Sequence, residues 1–146
     1  MNPSDFLTVA SNLYSSSYEA DMRTSVGRSY YALYNLVHET LSQLGVRFNN
    51  RGEDHGLLVY YLTDCRPAGA AATVREVLKD LRTERNRADY DMTATVNNRN
   101  SEFVYKKAEA SFAGFKTLNP EELKNLASCI QELPPPPWRR ASRSTP

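Results

Sequence analysis

The stretch EADMRTSVGRSYYALYNLVHETLSQLG, residues 19–45, decides the fold. Within it Val26, Tyr30, Leu33, Tyr34, Val37, Leu41 and Leu44 recur at steps of three and four. That spacing draws one apolar stripe along a helix and turns it towards a core. The pattern predicts a long helix over 19–44. Ser16 and Glu19 are spaced as a capping box at its start, and Gly45 ends it. Gly27 sits in mid-helix, where glycine costs roughly 1 kcal/mol against alanine. A close helix crossing at that point would account for it.

Reading outward, further helices follow. Asn2, Pro3 and Asp5 form a start signal for a helix over 3–16. After the loop-like GVRFNNRGED of 45–54, a short helix is expected from His55 to Asp64. A strand through LLVYYL is the alternative, but the sequence offers no second strand to pair with it. Arg66-Pro67 stops this element. A fourth helix is expected over 70–90. A fifth, over 96–118, has Val104, Ala108, Ser111, Phe115 and Leu118 on one face. Asn119-Pro120-Glu121-Glu122 opens a sixth, running to about Leu133. The prolines at 134–137 end it and favour extended polyproline geometry. The expected architecture is all-α: an up-and-down bundle of five to six helices over 1–133, with a flexible Pro/Arg-rich tail over 134–146.

Composition narrows the function classes. The chain has 146 residues, 40% hydrophobic and 24% charged, which suits one soluble globular domain. Its mean hydropathy is −0.58, and no apolar run approaches membrane-spanning length. The N-terminus has neither a basic leader nor an Arg-rich transit pattern. Cys65 and Cys129, without a CxxC, suggest neither a disulfide framework nor a zinc site, so a reducing cytoplasm is the expected compartment. No cofactor and no metal is indicated. Net charge is +1, but the last thirteen residues hold three arginines and no acid. The remainder, with 15 basic and 17 acidic residues, stands at −2. The body is therefore not a generally basic nucleic-acid binder, and any anion site is local.

The fourth helix carries the most informative chemistry. Its stripe of Val74, Val77, Leu78 and Leu81 continues at the same spacing into Arg85 and Ala88. A guanidinium on a core-facing stripe is costly unless it is paired. Asp89, four residues on, is its simplest partner. The other reading is an arginine that grips phosphate at a groove or dimer seam. Arg75, Lys79, Arg82 and Asn86 form a separate polar face, interleaved with acids. On the second helix Arg28, Tyr31, Ala32, Asn35 and His38 or Glu39 share a face. Such a face suits either packing or the binding of a base and its phosphate. Asp89 is expected to pair with Arg28 or Arg85, holding the two helices in register. His38 reads as a surface or interface residue and His55 as a capping or packing residue.

Taken together, RSYYALY (28–34), His55 before an apolar helix, LRTERNRADYD (81–91) and AEASF (108–112) resemble the HEPN family. The resemblance spans about residues 5–118. It implies a compact helical bundle, commonly a homodimer. It also implies RNA or a nucleotide as ligand. Many members are metal-independent ribonucleases of toxin–antitoxin or defence systems, which use the RNA 2′-hydroxyl as nucleophile and leave a cyclic phosphate. Others bind nucleotides or partner a small nucleotidyltransferase. The family motif is an Arg, a polar residue, and a His four to six residues after the Arg. Carried over, Arg85 matches the arginine and Asn86 the polar residue. Tyr90 stands where the histidine would be. Histidine exchanges protons near neutral pH, whereas tyrosine mainly donates hydrogen bonds and stacks. The resemblance thus implies catalytic roles for Arg85, Asn86 and Tyr90, while the helix faces read above offer Arg28, Tyr31, Asn35, Arg82 and Asp89 as substrate contacts. Three functions follow: an endoribonuclease, a nucleotide- or RNA-binding module without turnover, and a purely structural interaction protein.

Overall fold

A computed structural model describes residues 1–139 of the chain. Among these residues there are six helices and no strand: α1 (Pro3–Leu13), α2 (Glu19–Gln43), α3 (Asp54–Cys65), α4 (Ala70–Tyr90), α5 (Asn98–Lys116) and α6 (Pro120–Glu132). The all-α bundle is the one expected from the apolar spacing. The short apolar run LLVYYL lies within α3, as helix.

Local chemistry explains most of the boundaries. The Asn2 side chain accepts from Ser4 N at 3.1 Å while Asp5 accepts from Asn2 N at 2.9 Å, so both ends of the box are closed. Asn97 with Asn100 and Asn119 with Glu122 repeat the device at α5 and α6. α2 ends on Gly45, whose φ of 92° suits glycine. There Val46 N reaches Leu41 O and Gly45 N reaches Ser42 O, both at about 3.0 Å, the paired bonds of a Schellman motif.

The start of α2 differs from expectation. Tyr18 occupies the cap position and makes no side-chain cap bond. The Glu19 carboxylate is held instead by Arg23 Nε at 3.0 Å and by Val96 N at 3.2 Å, and Ser16 Oγ donates to Asp21 at 2.6 Å. A remote backbone donor and an arginine one turn away outcompete the box.

α2 is the central element and packs against α1, α4 and α5, while α3 packs against α4 and α6. Val26, Tyr30, Leu33, Tyr34, Val37 and Leu41 are all buried. Leu44, assigned to the same stripe, is exposed because it already belongs to the helix cap. Val74, Val77, Leu78, Leu81 and Ala88 of α4 and Val104, Ala108, Phe112 and Phe115 of α5 complete the core. Burying each such aliphatic side chain stabilises the fold by about 1.5–3 kcal/mol before entropy is charged against it.

Two features at the C-terminal end correct the sequence reading. Cys65 and Cys129, read as carrying no disulfide, are bonded, with their Cα atoms 6.0 Å apart. The end of α3 and the middle of α6 abut, a fact that no spacing encodes. Moreover, the chain from Pro134 turns back along α3 rather than leaving the surface. Pro136 is buried, Tyr60 Oη donates to Pro134 O at 2.8 Å, and the Trp138 ring lies 5.8 Å from the Tyr60 ring. Arg139 Nη2 then meets Glu53 Oε1 at 2.7 Å. The tail expected to be flexible is thus packed as far as Arg139, and its remainder, 140–146, lies outside the described residues.

Among the described residues, no helix is long and apolar enough to cross a membrane.

Candidate functional site

Arg85 emerges from the α4 stripe one turn after Leu81 and faces α2. Its side chain retains only 17% exposure. Nη2 donates to Tyr31 Oη at 2.8 Å and to Tyr90 Oη at 3.3 Å, and Nη1 donates to Asn86 Oδ1 at 3.1 Å. The guanidinium carbon lies 5.2 Å from the Tyr31 ring centroid and 5.3 Å from that of Tyr90. These separations are within cation–π range. Asp89 Oδ2 approaches Nε to 3.0 Å, but the N–H is not aimed at it. That contact is ionic only, and the buried Nε makes no hydrogen bond among the described residues.

The glycine on α2 belongs to this arrangement. A Cβ on Gly27 would lie 3.6 Å from Asp89 Oδ1. Gly27 thus leaves the carboxylate a seat against the α2 backbone. α2 and α4 pack together here, but the Gly27 Cβ position would meet only that carboxylate, at ordinary contact distance, so no close backbone crossing requires the glycine.

Of the residues singled out from the sequence, Tyr31, Arg85, Asn86, Asp89 and Tyr90 gather into one group. Asp89 pairs with Arg85 and not with Arg28. Arg28 is exposed and lies over the Phe6 ring of α1, 5.6 Å from its centroid, so the structure does not bring it into the group. Asn35 is half-buried and makes no side-chain hydrogen bond among the described residues. Arg82 is half-buried one turn before Arg85 and has no ion-pair partner among the described residues. Tyr90 is 69% exposed, so one wall of the site is open to solvent.

The histidines adjoin the same site. His55, at the start of α3, stacks on Tyr34 with 4.2 Å between centroids and meets the Tyr31 ring edge-on at 6.0 Å. Its Nδ1 is hydrogen-bonded to Tyr30 Oη. His38 lies 5.4 Å from the Tyr34 ring and 4.0 Å from the Phe48 ring. Its Nε2 is 3.2 Å from Asp54 Oδ2. Asp54 itself is buried and accepts from Asn49 N and Asn50 N, each at 2.8 Å, which pins the α2–α3 loop. His38 and His55 therefore flank one aromatic column, Tyr30–Tyr31–Tyr34, that leads to Arg85. Tyr30 and Tyr34 lie i,i+4 on α2, and that spacing was the one sequence signal for the column.

Burial and charge set the protonation states. Desolvation, and then the nearby Arg82 and Arg85, push His55 down to about 4, so the imidazole is neutral at pH 7. Burial raises the Tyr34 hydroxyl to about 12 and drives Tyr30 above its ordinary value. Both phenols therefore stay protonated.

Arg23 escaped the sequence reading. It donates to the carbonyls of Ala88 (2.8 Å) and Asp91 (2.9 Å) and to that of Ala94, and so staples α2 to the end of α4. Asp91 accepts from Thr93 N at 3.0 Å and from the Thr93 hydroxyl at 2.6 Å, building the turn after α4. Its carboxylate serves the loop. Among the described residues no three His, Cys, Asp or Glu side chains gather as a metal site.

In comparisons with known proteins, no family model matches the chain, and no curated protein or solved structure matches it significantly.

Proposed function

We propose that this helical protein is HEPN-like and binds RNA or a nucleotide through a phosphate at Arg85, cleaving RNA there without a metal. The observation that carries the reading is the setting of Arg85: a half-buried guanidinium between two tyrosine rings, whose Nη1 and Nη2 donate to the neutral groups of Asn86, Tyr31 and the exposed Tyr90. Such a group is pre-aimed, and it would stabilise negative charge on a scissile phosphate at little reorganisation cost. Tyr31 and the exposed Tyr90 offer stacking faces to bases, Asn86 orients the guanidinium, and Arg82 adds a second cation one turn away. A homodimer of the kind the resemblance implies would bring two such sites together.

The test is cleavage of total RNA in EDTA by the purified protein, beside Arg85→Ala and Tyr90→Phe. The expected result is 2′,3′-cyclic phosphate ends, with the rate falling about 10²–10³-fold in Arg85→Ala. Cleavage equal in wild type and Arg85→Ala would remove the reading. A second reading is favoured by Tyr90 standing where the motif histidine would be: the site holds RNA or nucleotide without turning it over. Saturable binding lost in Arg85→Ala, with no cyclic phosphate, would select it.

A further inference from the structure

Tyr90 stands where the motif has its histidine, yet an imidazole, that of His55, lies one tyrosine ring away from Arg85. His55 comes from α3, outside the α4 segment, and reaches the site through two contacts. Its ring packs edge-on against Tyr31, 6.0 Å between centroids, and Tyr31 Oη accepts from Arg85 at 2.8 Å. On its other side, Nδ1 is hydrogen-bonded to Tyr30 Oη. A phenol can either donate to Nδ1 or accept from it, so Tyr30 accommodates both the neutral imidazole and the imidazolium. We propose that His55 is the proton-transferring group of this site and that an oxyanion seated between Arg82 and Arg85 puts it to work. This inference rests on the reading of Arg85 as a phosphate site.

Charges facing His55 from every packed element decide how such a switch would behave. α2 contributes the phenols of Tyr30, Tyr31 and Tyr34 and the imidazole of His38. α3 contributes Asp54, and α4 contributes Arg82 and Arg85. The two arginines and burial disfavour an imidazolium, and Asp54 alone among these groups favours it. Arg82 has no ion-pair partner among the described residues, so its charge acts on His55 without neutralisation. A bound phosphate dianion or phosphodiester would cancel that cationic field and add an attractive one. The imidazole would then accept a proton only when substrate is present. In the proposed cleavage it would take the 2′-hydroxyl proton as that oxygen bonds to phosphorus. As the bond from phosphorus to the 5′-oxygen breaks, the departing oxygen takes a proton from water. The imidazolium returns its own to solvent, so no co-reactant is consumed.

The test is a pH titration of the two histidines by NMR, with the His55 signal assigned from a His55→Gln variant. Inorganic pyrophosphate is the probe. In the wild type, saturating pyrophosphate should raise the His55 midpoint by about one pH unit or more, within the range expected of an opposite charge at close approach. In Arg82→Gln and in Arg85→Gln the midpoint should already be higher without ligand, and pyrophosphate should add little. Arg75→Gln, remote on α4, should behave as wild type. A His55 midpoint that saturating pyrophosphate leaves unchanged, or shifts equally in the Arg82 and Arg85 variants, would overturn the inference. This readout requires no turnover. RNA left uncut while His55 still responds would count against the cleavage reading alone, whereas cutting without any His55 response would count against His55 alone.

Discussion

Removing the Cys65–Cys129 bond should cost the protein much of its thermal stability, and the size of the loss follows from the loop it closes. The two cysteines are 64 residues apart in sequence. Loop-closure entropy for a cross-link of that span is about 14 cal/mol/K, or about 4 kcal/mol at 25 °C. Native strain and residual structure in the unfolded chain reduce such figures, so this is an upper bound. A chain of 146 residues unfolds with an entropy of about 0.3 kcal/mol/K near its midpoint. The expected fall in Tm is thus up to about 13 °C. The assay is thermal unfolding by circular dichroism on three samples: oxidised protein, protein in excess reductant, and a Cys65→Ser/Cys129→Ser double variant. The oxidised sample should melt highest and the other two together, because the half-buried positions tolerate a hydroxyl. Midpoints within about 2 °C of one another would refute the argument. That outcome would mean that α3 and α6 are held by their apolar contacts, and that the covalent link adds nothing to what the unfolded chain already restricts.

Three further outcomes follow from the same geometry. Gly27→Ala should stabilise by about 0.5–1 kcal/mol in urea unfolding, since its new methyl would sit at ordinary contact distance, 3.6 Å, from Asp89 Oδ1; Gly27→Leu should instead displace the carboxylate and destabilise by about 1–3 kcal/mol. Trp138, the chain's one tryptophan and 47% exposed, reports the docking of the C-terminal segment on α3; Tyr60→Ala should red-shift its emission, and an unchanged spectrum would count against that docking. His55 gives stability a definite pH dependence: its folded value of about 4 lies below its unfolded 6.5, so the unfolded chain takes the proton first. Stability from this group is fully present above about pH 6.5, declines as pH falls towards 4, and levels off below it. Wild type minus His55→Gln, compared by urea midpoint from pH 7 to 4.5, should show that decline, and a flat difference would contradict it.

The parts of this molecule that the sequence made legible are those governed by neighbours one turn away. The α4 stripe placed Val74, Val77, Leu78 and Leu81 in the core and carried Arg85 with them, half-buried and beside Asp89. Two helix starts read from the sequence, at Asn2 and Asn119, are closed by caps whose partners lie three residues apart. Periodicity states which face is covered but not what covers it. Hence Tyr31 could be put on a polar face of α2 while its partner, 54 residues away, could not be deduced. The disulfide, the Tyr60–Pro134 bond and the Arg23 staple are of the same kind, with separations of 64 to 74 residues.

Glu19 shows the competition most directly. It had the spacing of a capping acid, yet a backbone N–H 77 residues away and Arg23 hold its carboxylate. A local reading of a charged residue therefore holds only where no remote donor can reach it. At Arg85 both conditions coexist. Its local partner, Asp89, takes the ionic contact but leaves Nε without a hydrogen bond, and the remote Tyr31 takes Nη2. A guanidinium whose nearest acid were fully engaged would be a finished structural pair. Here the remaining donors, Nη1 and Nη2, go to neutral groups, one of them on the exposed Tyr90, and an anion could replace these partners, which turns a packing residue into a candidate binding residue.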